Sequence, residues 1–194
     1  MNTRSFTMIA AAIVLLVACQ PQQSTEKTEA STPEPTAVPL QVAVADIGPA
    51  SGSELGGRAT FTRTDGGVQL EIELENASPG VHAVHLHEFG DCSADDASSA
   101  GGHWNPTGEE HGKWGQPPFH LGDIGNVTVG DDGTGSLTMT TNLWSLGDGS
   151  DHDVVGKSVV VHAGADDFTS QPSGAAGERI GCGVVEAQPA LMGS

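Results

Sequence analysis

Between Val68 and Glu75 the chain reads VQLEIELE, so that Val68, Leu70, Ile72 and Leu74 alternate with Gln69, Glu71, Glu73 and Glu75. A period of two places the apolar side chains on one face and the polar ones on the other, the signature of a half-buried antiparallel strand. The same period recurs downstream of Gln41. Val42, Val44 and Ile47 suggest an earlier strand, and Ala59 to Thr64 another, joined to the 68–75 strand through the hairpin signal Asp65-Gly66-Gly67. Val127 and Val129, then Leu137 and Met139, flank a second turn, Gly130-Asp131-Asp132-Gly133; Val159 and Val161, then Val184 and Val185, add two more strands. Beyond the N-terminal segment no window longer than about ten residues has a helical period. Many short strands with Gly/Asp turns predict an all-β sandwich or barrel. Two long intervals interrupt it, Glu88–Gly125 and Ala163–Gly181, and loops of that length in a β domain are functional or disordered.

The N-terminus has a different character. Arg4 precedes an apolar run, Met8–Val17, which is too short for the ~20 residues of a membrane span. Leu16-Val17-Ala18-Cys19 resembles a bacterial lipobox, in which cleavage precedes a lipidated Cys19; an ordinary secretory cut after Ala18 gives an exported chain as well. Residues 1–18 are thus expected to be a signal peptide. Residues 19–40, rich in Ser, Thr, Gln, Glu and Pro, are expected to form a disordered tether, and 41–194 the folded domain. Gln20 after a lipidated Cys19 suggests an outer-membrane destination, with the membrane engaged only through that anchor.

The full chain has 7 basic and 25 acidic residues. A cut after residue 18 removes Arg4 and no acid, leaving 6 against 25 and a net charge of −19. Such a charge excludes nucleic acid and anionic lipid surfaces as partners. With Cys19 assigned to the lipobox, Cys92 and Cys182 remain as a pair for an oxidising compartment. Their bridge would close about ninety residues, worth roughly 4–5 kcal/mol in the chain-entropy model.

The histidines fall between residues 82 and 162. In the stretch VHAVHLHEF, read as a strand, His85 and His87 share one face and Val84 and Leu86 the other, with the two imidazoles ~7 Å apart along the chain. The polar loop HWNPTGEEHGKWGQPPFHLGD contributes His103, His111, His120 and Asp123, three nitrogens and a carboxylate, a zinc-like tetrahedral set. His162, at the end of VVVH, can approach His85 and His87 and complete an imidazole-rich set suited to copper. The two sets are one imidazole short unless a histidine is shared. His82 reads as a packing and hydrogen-bonding residue, His152 as an exposed turn residue, and Trp104 and Trp114 as packing the loop against the barrel.

GVHAVHLHEFGDC, GGHWNP, HLGDIGNV, VVVHAGADD and ERIGCGV occur in this order and resemble the copper,zinc superoxide dismutases over roughly residues 41–187. That resemblance implies a Greek-key barrel of about eight antiparallel strands and dismutation of superoxide to dioxygen and hydrogen peroxide. It implies one copper on His85, His87, His103 and His162, and one zinc on His103, His111, His120 and Asp123, with His103 shared and handing on a proton. It further implies that Asp166 orients His85 and His111, and that Arg179 guides superoxide at the copper mouth. The second long interval lacks the lysines that eukaryotic members place there. Lys113, inside the first loop, is the candidate substitute for steering an anion past a net charge of −19. A homodimer is left open, since bacterial members include dimers and monomers. The rival reading is a non-enzymic, surface copper/zinc-binding lipoprotein, for which a shared His103 and a guiding Arg179 have no use. A zinc hydrolase would need an open coordination position and a general base, and no HExxH-like pair is present.

Overall fold

The computed structural model describes residues 39–188. The expected signal peptide, Cys19 and nearly all of the expected tether lie outside them. Among the described residues no helix is long and apolar enough to cross a membrane. The strands are β1 (Val42–Pro49), β2 (Gly56–Thr64), β3 (Gly67–Glu75), β4 (Gly80–His87), β5 (Gly125–Val129), β6 (Gly135–Thr141), β7 (Ser158–His162), β8 (Arg179–Val184) and β9 (Glu186–Gln188). Helical structure among the described residues is one short 3₁₀ turn, Ser98–Ala100.

All pairings between the strands are antiparallel. The order β2-β3-β6-β5-β4-β7-β8-β1 closes on itself because β1 also pairs β2, from Val42↔Thr62 to Ile47↔Gly57. The barrel is therefore eight-stranded, and closure leaves it no free edge. Sequence periodicity did not register the short β9, which follows β8 after Val185 and extends the pairing along β1 from Val44↔Glu186 to Val42↔Gln188.

Period two builds the interior. Ala43, Ala45 and Ile47 of β1, Ala59 and Phe61 of β2, and Val68, Leu70, Ile72 and Leu74 of β3 point inward, with Val84 and Leu86 of β4 and Val159 and Val161 of β7. Each such side chain removed from water contributes about 1.5–3 kcal/mol for the larger ones. On β3 the outward residues Glu71, Glu73 and Glu75 are exposed, as a one-sided strand requires. The β2–β3 hairpin turns at Asp65-Gly66, and Gly67 takes φ 116° with a would-be Cβ 2.2 Å from the Thr141 carbonyl oxygen, so glycine is required there.

The strands β4, from His82 onward, and β7 differ, because they are buried on both faces. Val84 and Leu86 enter the core while His85 and His87 face outward, and the register sets His85 opposite Val160 and His87 opposite Ser158. That outer surface is roofed by the connections 88–124 and 163–178. Trp104, Leu121 and Ile124 of the first connection sink into the barrel core. Its backbone is laced to β4 by Trp104 N–H to Leu86 O at 2.8 Å and Leu86 N–H to Gly122 O at 2.9 Å. A third long connection, 142–157, was not distinguished by the periodicity. It is held by Asp153, whose carboxylate accepts from the N–H groups of Gly147, Gly149 and Val155.

Cys92, at the base of the first connection, is disulfide-bonded to Cys182 of β8, with Cα atoms 5.8 Å apart. Around the bridge a second apolar cluster forms outside the barrel from Ala50, Ala97, Ala100, Val160 and Cys182. Replacing Cys182 by serine should lower the stability of the metal-free protein by about 2–5 kcal/mol in denaturant unfolding without reductant. A loss well under ~1 kcal/mol would show that the connection is fixed by its other contacts.

Candidate metal centre

Two groups of ligand-type side chains lie beneath the roof: His85, His87, His103 and His162, and His103, His111, His120 and Asp123. Within each, the potential ligand atoms all lie within 4.8 Å of one another, and His103 belongs to both. Strand geometry supplies His85 and His87, and the next strand supplies His162 just beyond a register irregularity at Val161/His162. His103 is brought to β4 by an isolated bridge with His87. Its ring centroid is 4.0 Å from that of His85 and 5.1 Å from that of His87.

Hydrogen bonds on one ring nitrogen decide what the other offers. His85 Nε2 donates to Asp166 Oδ2 at 3.0 Å, His87 Nδ1 to the Gly101 carbonyl at 2.9 Å, and His162 Nδ1 to the Gly177 carbonyl at 3.2 Å. That leaves lone pairs on His85 Nδ1, His87 Nε2 and His162 Nε2, and these atoms, with His103 Nε2, are buried without any hydrogen-bond partner. Four orphaned acceptors converging in a buried space carry a free-energy penalty that a cation removes.

The second group has a complementary problem. The Nδ1 atoms of His103, His111 and His120 lie 2.8, 3.0 and 3.1 Å from one oxygen, Asp123 Oδ1. His111 Nδ1 is close without the alignment of a hydrogen bond. The other oxygen, Oδ2, already accepts from the N–H groups of Gly112 and His120. Three imidazoles crowding one carboxylate oxygen exceed its two lone pairs; a divalent ion among the four satisfies them all. The residues present therefore fit two metal ions, one in an all-imidazole set and one in a three-imidazole, one-carboxylate set.

Protonation follows burial and charge. Burial, the largest cause, lowers His87 to about 2, His162 to about 3 and His103 to about 4, so these rings are neutral at pH 7. Burial acts in the same direction on His111, but the close Asp123 carboxylate and the hydrogen bond to Asp166 outweigh it and raise that ring to about 9. Asp123 would be raised by burial, yet its imidazole partners hold it far below the ordinary carboxylate range. A proton on His111 here supplies the positive charge that two buried carboxylates demand.

Asp166 lies between the two groups. Its Oδ2 takes His85 Nε2–H, and its Oδ1 takes His111 Nε2–H at 2.9 Å and the Phe168 N–H at 2.7 Å. Asn126 fixes its main chain from both sides, accepting from Asp166 N–H and donating to Asp166 O. Arg179 is half-buried and donates to the carbonyls of Ala97 and Gly101, each at 2.7 Å. It thus shares the Gly101 oxygen with His87. Lys113 is exposed, with Nζ 5.5 Å from the Phe168 ring centroid.

Among the remaining candidates, His82 is buried between the Ser78 and His162 carbonyls, and His152 is exposed with Nδ1 on the Leu143 carbonyl. Trp104 is core, while Trp114 packs against Phe119 and Trp144. Sequence reasoning missed Asn126, Gln171 and the carbonyls of Gly101 and Gly177. A backbone oxygen carries no side-chain signal.

A closed antiparallel β-barrel bearing two imidazole-rich sites joined at one histidine defines a metalloprotein with a paired metal centre. Residues 55–185 match the family described as copper/zinc superoxide dismutase. The chain is 36% identical over 146 residues to superoxide dismutase Cu-Zn 1 of Aquifex aeolicus (strain VF5), covering 73% of this chain and 86% of that protein. It is also similar to the structure of a SOD-like protein from Bacillus subtilis, at 33% identity and TM-score 0.64, covering 72% of this chain and 95% of that one. A third likeness is to the clock protein EA4, at 30% identity and TM-score 0.69, covering 79% and 98%. The chain belongs to the copper/zinc superoxide dismutase family, whose cofactors are copper and zinc. Its disulfide is consistent with an exported protein.

The three depressed histidines set a sign for acid behaviour. Their folded values, about 2 to 4, lie below the unfolded value near 6.5, so the unfolded chain binds more protons in that window. Stability of the metal-free protein should therefore be lost as pH falls from ~6.5 toward ~4. His111, raised to about 9, contributes stability that is lost as pH rises from ~6.5 through 9. Unfolding of the metal-free protein across pH 4–9 should give a maximum near neutrality, steeper on the acid side. Stability rising on acidification from pH 6.5 to 4.5 would contradict buried neutral imidazoles.

Proposed function

We propose that this chain is an active superoxide dismutase, converting two superoxide anions and two protons to one dioxygen and one hydrogen peroxide. The observation that carries this reading is His103, the one residue common to both ligand groups, beside an arginine held at the same wall. In this reading His85, His87, His103 and His162 hold copper, because an all-imidazole set suits it. His103, His111, His120 and Asp123 hold zinc. Copper, when bound, supplies one-electron exchange between two valences, which zinc lacks.

The chain's own groups do the rest. The hydrogen bonds to Asp166, Gly101 and Gly177 fix the orientation and tautomer of His85, His87 and His162 before any metal arrives. With cations at both groups His103 would be free of protons on both ring nitrogens; its Nδ1 faces Asp123 and its Nε2 has no partner, so Nε2 would be the atom that takes up a proton and delivers it to reduced oxygen. Arg179 spends two of its five N–H groups on the Ala97 and Gly101 carbonyls and presents the others to the anion. Lys113 adds positive charge to the loop wall, and at a Debye length of ~8 Å such local charge counts for more than the net charge of the molecule.

The same reading places the chain outside the cytoplasm. Residues 1–18 act as the signal peptide, Cys19 carries the lipid that anchors it to the outer membrane, and 19–40 is the tether. A non-enzymic copper/zinc-binding lipoprotein would use the same ligands and need Arg179 only for its bonds to the Ala97 and Gly101 carbonyls, with no use for its remaining N–H groups.

Superoxide decay by the copper- and zinc-loaded protein should be fast and should disappear in His162→Ala; activity surviving that substitution contradicts the copper assignment. Arg179→Met should lower kcat/KM by about tenfold or more and weaken its salt dependence. Lys113→Glu should slow association at low ionic strength, and an unchanged rate there removes Lys113 from steering.

A further inference from the structure

The four groups of the three-imidazole set are not anchored alike. His103 is followed by buried Trp104, and His120 and Asp123 flank buried Leu121 and precede buried Ile124, so the barrel core fixes three of the four. His111 follows two exposed glutamates, Glu109 and Glu110, and precedes Gly112. Nothing apolar next to it enters the core.

Within its own connection the neighbouring Gly112 N–H donates to Asp123 Oδ2, and the main chain of His111 itself is held by the other connection. The side-chain amide of Gln171 grips the main chain of His111 at two points: His111 N–H donates to Oε1 at 3.0 Å, and Nε2 donates to His111 O at 2.9 Å. The pairing resembles a rung of β-ladder made by a side chain, and it leaves neither backbone group of His111 free. Three residues later, Gly174 lays its backbone over the Asp166–His111 hydrogen bond. A Cβ on Gly174, whose φ is +68°, would lie 1.8 Å from Asp166 Oδ1 and 2.7 Å from His111 Nε2. The turn that carries both residues is closed by Gly174 N–H to Ser170 O at 2.7 Å and Asp167 N–H to Gly174 O at 2.9 Å. Asp167 also caps the N–H groups of Thr169 and Ser170.

We propose that the segment Gln171–Gly174 is a clasp that positions His111 for zinc, with Gln171 its positioning residue, so that the connection 163–178 governs zinc retention. The identity of the ion rests on the reading above; the clasp itself rests on the paired amide contacts and the glycine cover. The side-chain hydrogen bonds of Gln171 go to the main chain of His111, not to a donor atom of either ligand group. It acts by holding the main chain from which one donor projects, in the manner of the outer groups whose loss weakens metal affinity about 10–100-fold.

Gln171→Ala in the full chain is the test, read by chelator competition for each metal, by the visible spectrum of cobalt(II) loaded in place of zinc, and by thermal unfolding of the metal-free protein. The clasp predicts zinc release about tenfold faster, an altered cobalt spectrum, unchanged copper release, and a metal-free midpoint within a few degrees of the parent. Gln171→Glu, which keeps the acceptor for His111 N–H but sets a carboxylate oxygen against His111 O, should release zinc at least as fast as Gln171→Ala. Gly174→Ala should exceed the loss in Gln171→Ala, because it displaces Asp166 as well. Unchanged zinc release in Gln171→Ala overturns the clasp. Equal acceleration of copper and zinc release with a lowered metal-free midpoint also overturns it, since the residue is then a general support. Failure of the parent protein to take up cobalt with a tetrahedral spectrum is a different result: it overturns the zinc reading and the clasp with it.

Discussion

Six imidazoles and two carboxylates are packed against the outside of a β-barrel under connections that have almost no regular structure. That burial is the constraint on which the rest depends. Without cations, four ring nitrogens have lone pairs and no donor, while three others crowd one oxygen of Asp123. Two divalent ions would turn both defects into bonds. The dependence runs the other way too, because the connection 88–124 has no helix or strand to order it and the metal would cross-link it at His103, His111, His120 and Asp123. The barrel provides the fixed wall, through outward His85, His87 and His162. The disulfide and the Trp104–Leu86–Gly122 hydrogen bonds bring the base of the connection to that wall.

Charge is arranged at a shorter range than the net count suggests. Acidic residues line exposed faces such as that of β3, far out of register with the inward-facing core. At the site the anions are Asp123 and Asp166, each consumed by imidazole and backbone donors. Arg179 is held beside the all-imidazole group by two carbonyls, one of which also orients His87. A single carbonyl, Gly101 O, thus couples the Arg179 guanidinium to the orientation of His87, and movement of the disulfide-bound connection would disturb both together.

Much of this was legible in the sequence, for reasons that can be traced. β3 declared itself because one of its faces is wet, so polarity alternates. The face shared by His85 and His87 followed from the same rule. β7 offered only a run of valines ending in His162, since it is covered on both sides and its alternation is lost. β9 is three exposed residues, and the connection 142–157 is ordered by the carboxylate of Asp153 catching backbone N–H groups, which no periodicity marks. Asn126 sits in a strand and Gln171 in a Ser-Gln-Pro-Ser-Gly stretch, where either reads as ordinary surface polarity. Their roles arise from which main-chain groups the fold brings opposite them. The motif resemblance supplied the two side-chain groups and Asp166 residue by residue, but not the carbonyls that orient His87 and His162.

The central claim is that His103 serves two metal ions through opposite ring nitrogens. Loading both sites with copper(II) and recording the electron paramagnetic resonance spectrum tests it most directly. A shared, doubly deprotonated imidazole couples the two unpaired spins, so the spectrum should lose most of its intensity at low temperature and regain it when His103 is replaced by alanine. Two full-intensity, independent copper signals in the parent protein would contradict the bridge.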